Sequence, residues 1–102
     1  MKKLEGNVTI ITGGGKGIGY GLAEAFAEAG SNLVITGRTE SRLVSAKERL
    51  EAQYGVKVLP IVADGADEEA IKNVVARTIA EFGKINTLVN NAQVSKSGLP
   101  LV

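Results

Sequence analysis

The chain has 102 residues, of which 44% are hydrophobic but only 4% aromatic, so it fits one domain with an aliphatic core. Twelve basic residues nearly balance eleven acidic ones, and a net charge of +1 argues against a general nucleic-acid or anionic-membrane surface. The absence of cysteine and histidine excludes disulfides, thiol nucleophiles, thiolate zinc sites, Ser-His-Asp triads and histidine metal ligands from these residues.

The opening MKKLEG has two lysines but no apolar run behind them, and no stretch approaches the ~20 apolar residues of a membrane helix. A soluble, cytoplasmic chain is expected. Residues 7–12 (NVTIIT) form a β-branched run that predicts a first strand. A glycine cluster follows. Ile18, Leu22, Ala25, Phe26 and Ala29 then recur at helical spacing, with Gly30 as the stop. Residues 32–36 (NLVIT) predict a second strand, and Leu43, Ala46, Leu50 and Tyr54 a second helix stopped near Gly55. Residues 56–62 (VKVLPIV) predict a third strand. Ile71, Val74, Val75, Thr78, Ile79 and Phe82 predict a third helix closed by Gly83, and residues 85–90 (INTLVN) a fourth strand.

This βαβαβαβ alternation with short connections predicts an α/β fold with a doubly wound parallel sheet of Rossmann type, in the order 3-2-1-4. Pro60 suits the outer position that this order assigns to strand 3. Strand 4 becomes the other edge, although TLVNNA carries no charge to protect it. The third helix lies alone on its sheet face. Residues 1–102 therefore read as the N-terminal part of a single Rossmann domain, an incomplete sheet.

Between strand 1 and helix 1 stands ITGGGKGIGYG, residues 11–21. Glycine allows the sharp turn and the close backbone approach, and the N–H groups at the helix start favour a phosphate. A P-loop is excluded: Gly17 follows Lys16 where Ser or Thr is needed, and Ile10 occupies the place of the first glycine. The strict G-x-G-x-x-G fingerprint fails too, because the third glycine would fall on Ile18, Tyr20 or Leu22. At the end of strand 2, where a carboxylate would bind a ribose 2′-hydroxyl, stand Gly37 and Arg38, followed by Thr39. An arginine there matches a 2′-phosphate, and Lys16 adds charge to the same group. NADP(H) is accordingly favoured over NAD(H). Glu40 either competes for Arg38 or simply starts helix 2. The missing carboxylate also weighs against a methyltransferase.

Thr12-Gly13-x-x-x-Gly17-x-Gly19 resembles the glycine motif of the short-chain dehydrogenase/reductase family. Asp64-Gly65 after strand 3 and Asn90-Asn91-Ala92 after strand 4 match two further family motifs in order, except that Gln93 replaces the usual glycine. The resemblance spans Asn7 to Gln93. It implies an NADP(H)-dependent carbonyl or alcohol oxidoreductase acting on a small molecule, similar to 3-oxoacyl reductases, and a homo-oligomer at full length. It assigns Gly13, Gly15, Lys16, Gly17, Ile18, Gly19, Arg38, Thr39, Asp64, Gly65, Asn90, Asn91 and Ala92 to the cofactor.

The family's catalytic Ser and Tyr-x-x-x-Lys lie C-terminal to its N-N-A-G motif. Tyr20 is followed by Glu24 and Tyr54 by Val58 at the lysine position, and Ser95 and Ser97 read as loop serines. No catalytic residue is therefore assigned, and the chain alone is expected to be inactive. The competing reading is a non-catalytic nucleotide-binding or sensor module.

Overall fold

The computed structural model describes residues 2–15, 17–64 and 67–91. The elements follow the expected order: β1 (Val8–Thr12), α1 (Gly17–Glu28), β2 (Asn32–Gly37), α2 (Glu40–Tyr54), β3 (Val58–Val62), α3 (Glu68–Phe82) and β4 (Thr87–Asn90). The sheet is parallel with the order β3-β2-β1-β4, as the sequence predicts. Pro60 lies on the outer strand β3, and β4 pairs with β1 at the other edge.

Alternation along the strands divides the apolar residues between two layers. Ile11, Leu33, Ile35 and Val58 pack with Ala23 and Ala27 of α1 and with Leu43, Ala46 and Leu50 of α2. Val8, Ile10, Val34 and Ile61 face the other way, against Val74 of α3. The third helix is thus on the opposite face from the first two, as expected. Leu88 on the β4 edge is 52% exposed.

One expectation needs correction. The predicted apolar stripe of α1 included Ile18 and Ala25, but the buried positions are Gly19, Ala23 and Ala27, and Ile18 is 77% exposed. At Gly19 a side chain is excluded because a Cβ would fall on the backbone of the glycine turn, whereas Ala23 and Ala27 pack into the core against the sheet. Leu22 and Phe26 flank that contact.

Helix ends have readable causes. Asp67 caps α3, accepting from the N–H groups of Glu69 (3.0 Å) and Ala70 (3.4 Å), so the helix starts earlier than its apolar periodicity indicates. Gly55 and Gly83 end α2 and α3 in left-handed conformation, as predicted. Glu40 is the first residue of α2 and is in no ion pair with Arg38. No helix among the described residues is long and apolar enough to cross a membrane.

Glu51 fastens α2 to the outer strand. Its carboxylate accepts from Lys47 Nζ (2.7 Å) and from the Val58 N–H (3.0 Å). Burial pushes its pKa up, but the Lys47 and Val58 hydrogen bonds and the charges of Lys47 and Lys57 outweigh this and hold it below the ordinary 4.5. A folded value below the unfolded one contributes stability above the unfolded value, and that contribution is lost as pH falls through the folded value. Glu51→Gln should therefore lower the urea midpoint at neutral pH, and the gap to wild type should narrow as the pH is lowered below the ordinary carboxylate range. An unchanged gap on acidification would exclude the carboxylate as its source.

Candidate functional site

The parallel register brings the C-terminal ends of the strands to one edge. Thr12 lies between Thr36 of β2 and Asn90 of β4, and Gly37 pairs with Val62 of β3. Between β1 and its two neighbours the strand order reverses, which is where open α/β sheets form a ligand crevice.

The glycine turn is built onto this edge. The Gly14 N–H donates to the Thr36 carbonyl (3.1 Å) and the Gly13 N–H to Thr36 Oγ1 (3.4 Å). The turn is thereby bonded to the residue two before Arg38. Gly13 and Gly17 have φ of 74° and 61°, which a side chain would strain. Gly19 is glycine for a different reason. A Cβ there would fall on the Gly13 carbonyl and 2.8 Å from Asn91 Nδ2. The first turn of α1 thus closes directly onto the glycine loop, with its N–H groups lacking intrahelical acceptors.

Thr12 joins the turn to β4. Its Oγ1 donates to Asn90 Oδ1 (3.0 Å) and accepts from the Asn91 N–H (2.9 Å). Both asparagines are therefore held at the rim beside Gly19. At the lower end of the same pair of strands, the Asn86 side chain accepts from the Val8 N–H (2.8 Å).

On the other side, the Ala63 N–H donates to the Gly37 carbonyl (2.9 Å), so the next residues of the two strands are Asp64 and Arg38. Arg38, Thr39 and Asp64 are exposed. Thr39 precedes α2 but makes no side-chain cap, and no salt bridge involves Arg38 among the described residues. Beneath them, Leu43 is buried, and its Cδ2 lies 3.2 Å and 3.3 Å from the points where a Cβ on Gly15 and on Gly37 would sit. It wedges between the glycine turn and the end of β2. Helical periodicity marks Leu43 only as a core position, and nothing local in the sequence indicates its second contact.

The geometry thus gathers Gly13, Gly15, Gly17, Ile18, Gly19, Arg38, Thr39, Asp64, Asn90 and Asn91 along one edge. Lys16, Gly65 and Ala92 lie outside the described residues, as do Gln93, Ser95 and Ser97. Tyr54 has Val58, not lysine, at the position that the resemblance requires. Partial burial raises its hydroxyl pKa, and the carboxylates of Glu24, which it contacts at 3.4 Å, and of Glu28 raise it further.

The fold and this edge define a parallel sheet of Rossmann type. Residues 7–100 match the short chain dehydrogenase family, and the chain belongs to it. It is 54% identical over 99% of its length to a 12alpha-hydroxysteroid dehydrogenase of a Clostridium species, spanning 41% of that relative. Among solved structures it resembles L-sorbose reductase from Gluconobacter frateurii in complex with NADPH and L-sorbose, with a TM-score of 0.87 and 38% identity over 92% of this chain and 36% of the other. NAD+-bound xylitol dehydrogenase is similar at a TM-score of 0.85 and 33% identity, over the same shares of the two chains. The chain spans between 27% and 41% of the length of the curated relatives it matches.

Proposed function

We propose that this chain is the cofactor-binding part of an NADP(H)-dependent short-chain oxidoreductase that interconverts a small-molecule carbonyl and its alcohol. The observation that carries the cofactor reading is the end of β2. Gly37 leaves room where a carboxylate would repel a 2′-phosphate, and Arg38 stands beside a glycine turn bonded to Thr36. The residues suit a dinucleotide: a backbone cradle that any Cβ at Gly19 would fill, helix N–H groups for the pyrophosphate, and a cation for the 2′-phosphate.

When bound, the nicotinamide supplies or accepts the hydride. The chain's own residues orient the adenosine half. Asn90 and Asn91, held by Thr12, line the rim by the ribose, and Asp64 receives the adenine amino group. Solved relatives hold NADPH in one case and NAD+ in another, and the arginine after β2 supports the NADP(H) reading for this chain.

Arg38→Ala should weaken NADPH binding about ten- to a hundredfold while changing NADH binding less than about twofold, measured by calorimetry. Equal losses for both cofactors would remove the 2′-phosphate role. With no Ser and Tyr-x-x-x-Lys set in its sequence, the 102-residue chain binds cofactor without turnover. NADPH-dependent reduction by a mass-verified chain would overturn that.

A further inference from the structure

A cleft of about 360 Å³ opens between the glycine turn and the outer side of α2, lined by Gly15, Ser41, Arg42, Ser45 and Arg49. Among the described residues its lining supplies two guanidinium groups, two hydroxyls and a glycine, and no carboxylate. Within α2 Lys47 pairs with Glu51, and neither Arg42 nor Arg49 is in a salt bridge among the described residues. The cleft begins at the turn itself. A Cβ on Gly15 would approach Arg42 Cβ to 3.8 Å and Leu43 Cδ2 to 3.2 Å. Gly15 is thus the floor that keeps Arg42 open to whatever lies on the turn.

The two arginines are not equivalent. Arg49 lies seven residues beyond Arg42, about 10 Å along the helix. Its guanidinium sits 4.5 Å above the Tyr20 ring, which ties it to α1. Arg42 follows Arg38 by four residues and stands at the end of the cleft next to the turn. A phosphate monoester carries about −1.5 to −2 charges at neutral pH, more than one guanidinium neutralises.

We propose that Arg42, with the Ser41 hydroxyl beside it, is a further specificity-determining residue for the cofactor's 2′-phosphate, sharing its charge with Arg38 and with Lys16. The inference rests on the NADP(H) reading above. Gly15 is then needed for a second reason besides the turn, since a side chain there would close the seat. Arg49 contributes only a distant field.

The test compares adenosine 2′,5′-bisphosphate with AMP, which differ by the 2′-phosphate alone. Affinities are measured by calorimetry on the full chain and on Arg38→Ala, Arg42→Gln and Arg49→Gln, with circular dichroism to establish folding. All three side chains are exposed, so the variants are expected to fold. Wild type should prefer the bisphosphate. Arg42→Gln should reduce that preference about three- to tenfold with AMP affinity unchanged, Arg49→Gln should reduce it less than about twofold, and Arg42→Lys should restore part of it. An unchanged preference in Arg42→Gln, together with a collapsed one in Arg38→Ala, overturns the role of Arg42 and leaves the NADP(H) reading intact. Equal losses in Arg42→Gln and Arg49→Gln also overturn it, in favour of general electrostatic attraction. No preference in the wild-type chain overturns the NADP(H) reading itself.

Discussion

Gly19→Ala is expected to abolish dinucleotide binding and to lower the unfolding free energy by about 3 kcal/mol. Two effects oppose each other at this position. Alanine is the better helix former by about 1 kcal/mol, so propensity alone predicts stabilisation. The added methyl, however, would land on the Gly13 carbonyl oxygen and crowd Asn91 Nδ2. Backbone on one side and a residue tethered to Thr12 on the other leave little room to yield, so the steric term wins. Relief requires moving α1 off the turn, which separates the helix N–H groups from the loop proposed to take the phosphates. Gly21 in the same helix is the control. A Cβ there meets nothing within 4 Å, so Gly21→Ala should stabilise by about 0.5–1 kcal/mol and leave NADPH affinity unchanged. Urea unfolding and NADPH titration read both variants. Wild-type stability and affinity in Gly19→Ala would show that α1 does not close on the turn in this way.

Leu43→Ala carries the second large effect. The side chain is buried at 1% exposure among Ile11, Ile35 and Ala46, and truncating such a leucine costs about 2–5 kcal/mol. For a domain of this size, that lowers the melting temperature by more than about ten degrees. The loss should extend to function at temperatures where the variant is still folded. Leu43 lies against both Gly15 and Gly37, so its removal loosens the two walls between which the 2′-phosphate is proposed to bind. NADPH affinity should fall several-fold more than NADH affinity. Val44, next in sequence but 39% exposed, provides the comparison, and Val44→Ala should cost under about 0.5 kcal/mol. Parallel losses for both cofactors in folded Leu43→Ala would separate the core role from the supporting one.

The architecture was legible because its signals are local. Each strand is a short β-branched run, and a proline marked β3 as an edge. Glycines closed the second and third helices at Gly55 and Gly83, where the left-handed conformation favours a residue without Cβ. Strand order followed from right-handed crossovers and the Rossmann pattern. The candidate cofactor residues were legible for a related reason. In a parallel sheet every strand ends on the same side, so motifs far apart in sequence occupy one edge.

What stayed hidden depends on contacts between distant elements. The buried stripe of α1 is set by Gly19, Ala23 and Ala27 rather than by its larger apolar residues. At Gly19 the nearness of the turn's backbone selects for size, and hydrophobic periodicity reports polarity alone. Asp67 reads as one acid among several in DGADEE until its carboxylate is placed over two free N–H groups. Thr36, Asn86 and Leu43 look like strand, loop and core residues, yet each joins two elements at a defined point.

Spacing and residue type were thus enough to establish the fold class and the family and to nominate the candidate residues at one edge of the sheet, because these follow from rules that act over a few residues. The placement of Leu43 against Gly15 and Gly37, the closure of Gly19 on Gly13 and Asn91, and the basic cleft beside Arg42 were settled by folding. Each depends on distances of a few ångströms between segments separated by many residues, and close packing, rather than local propensity, determines those distances.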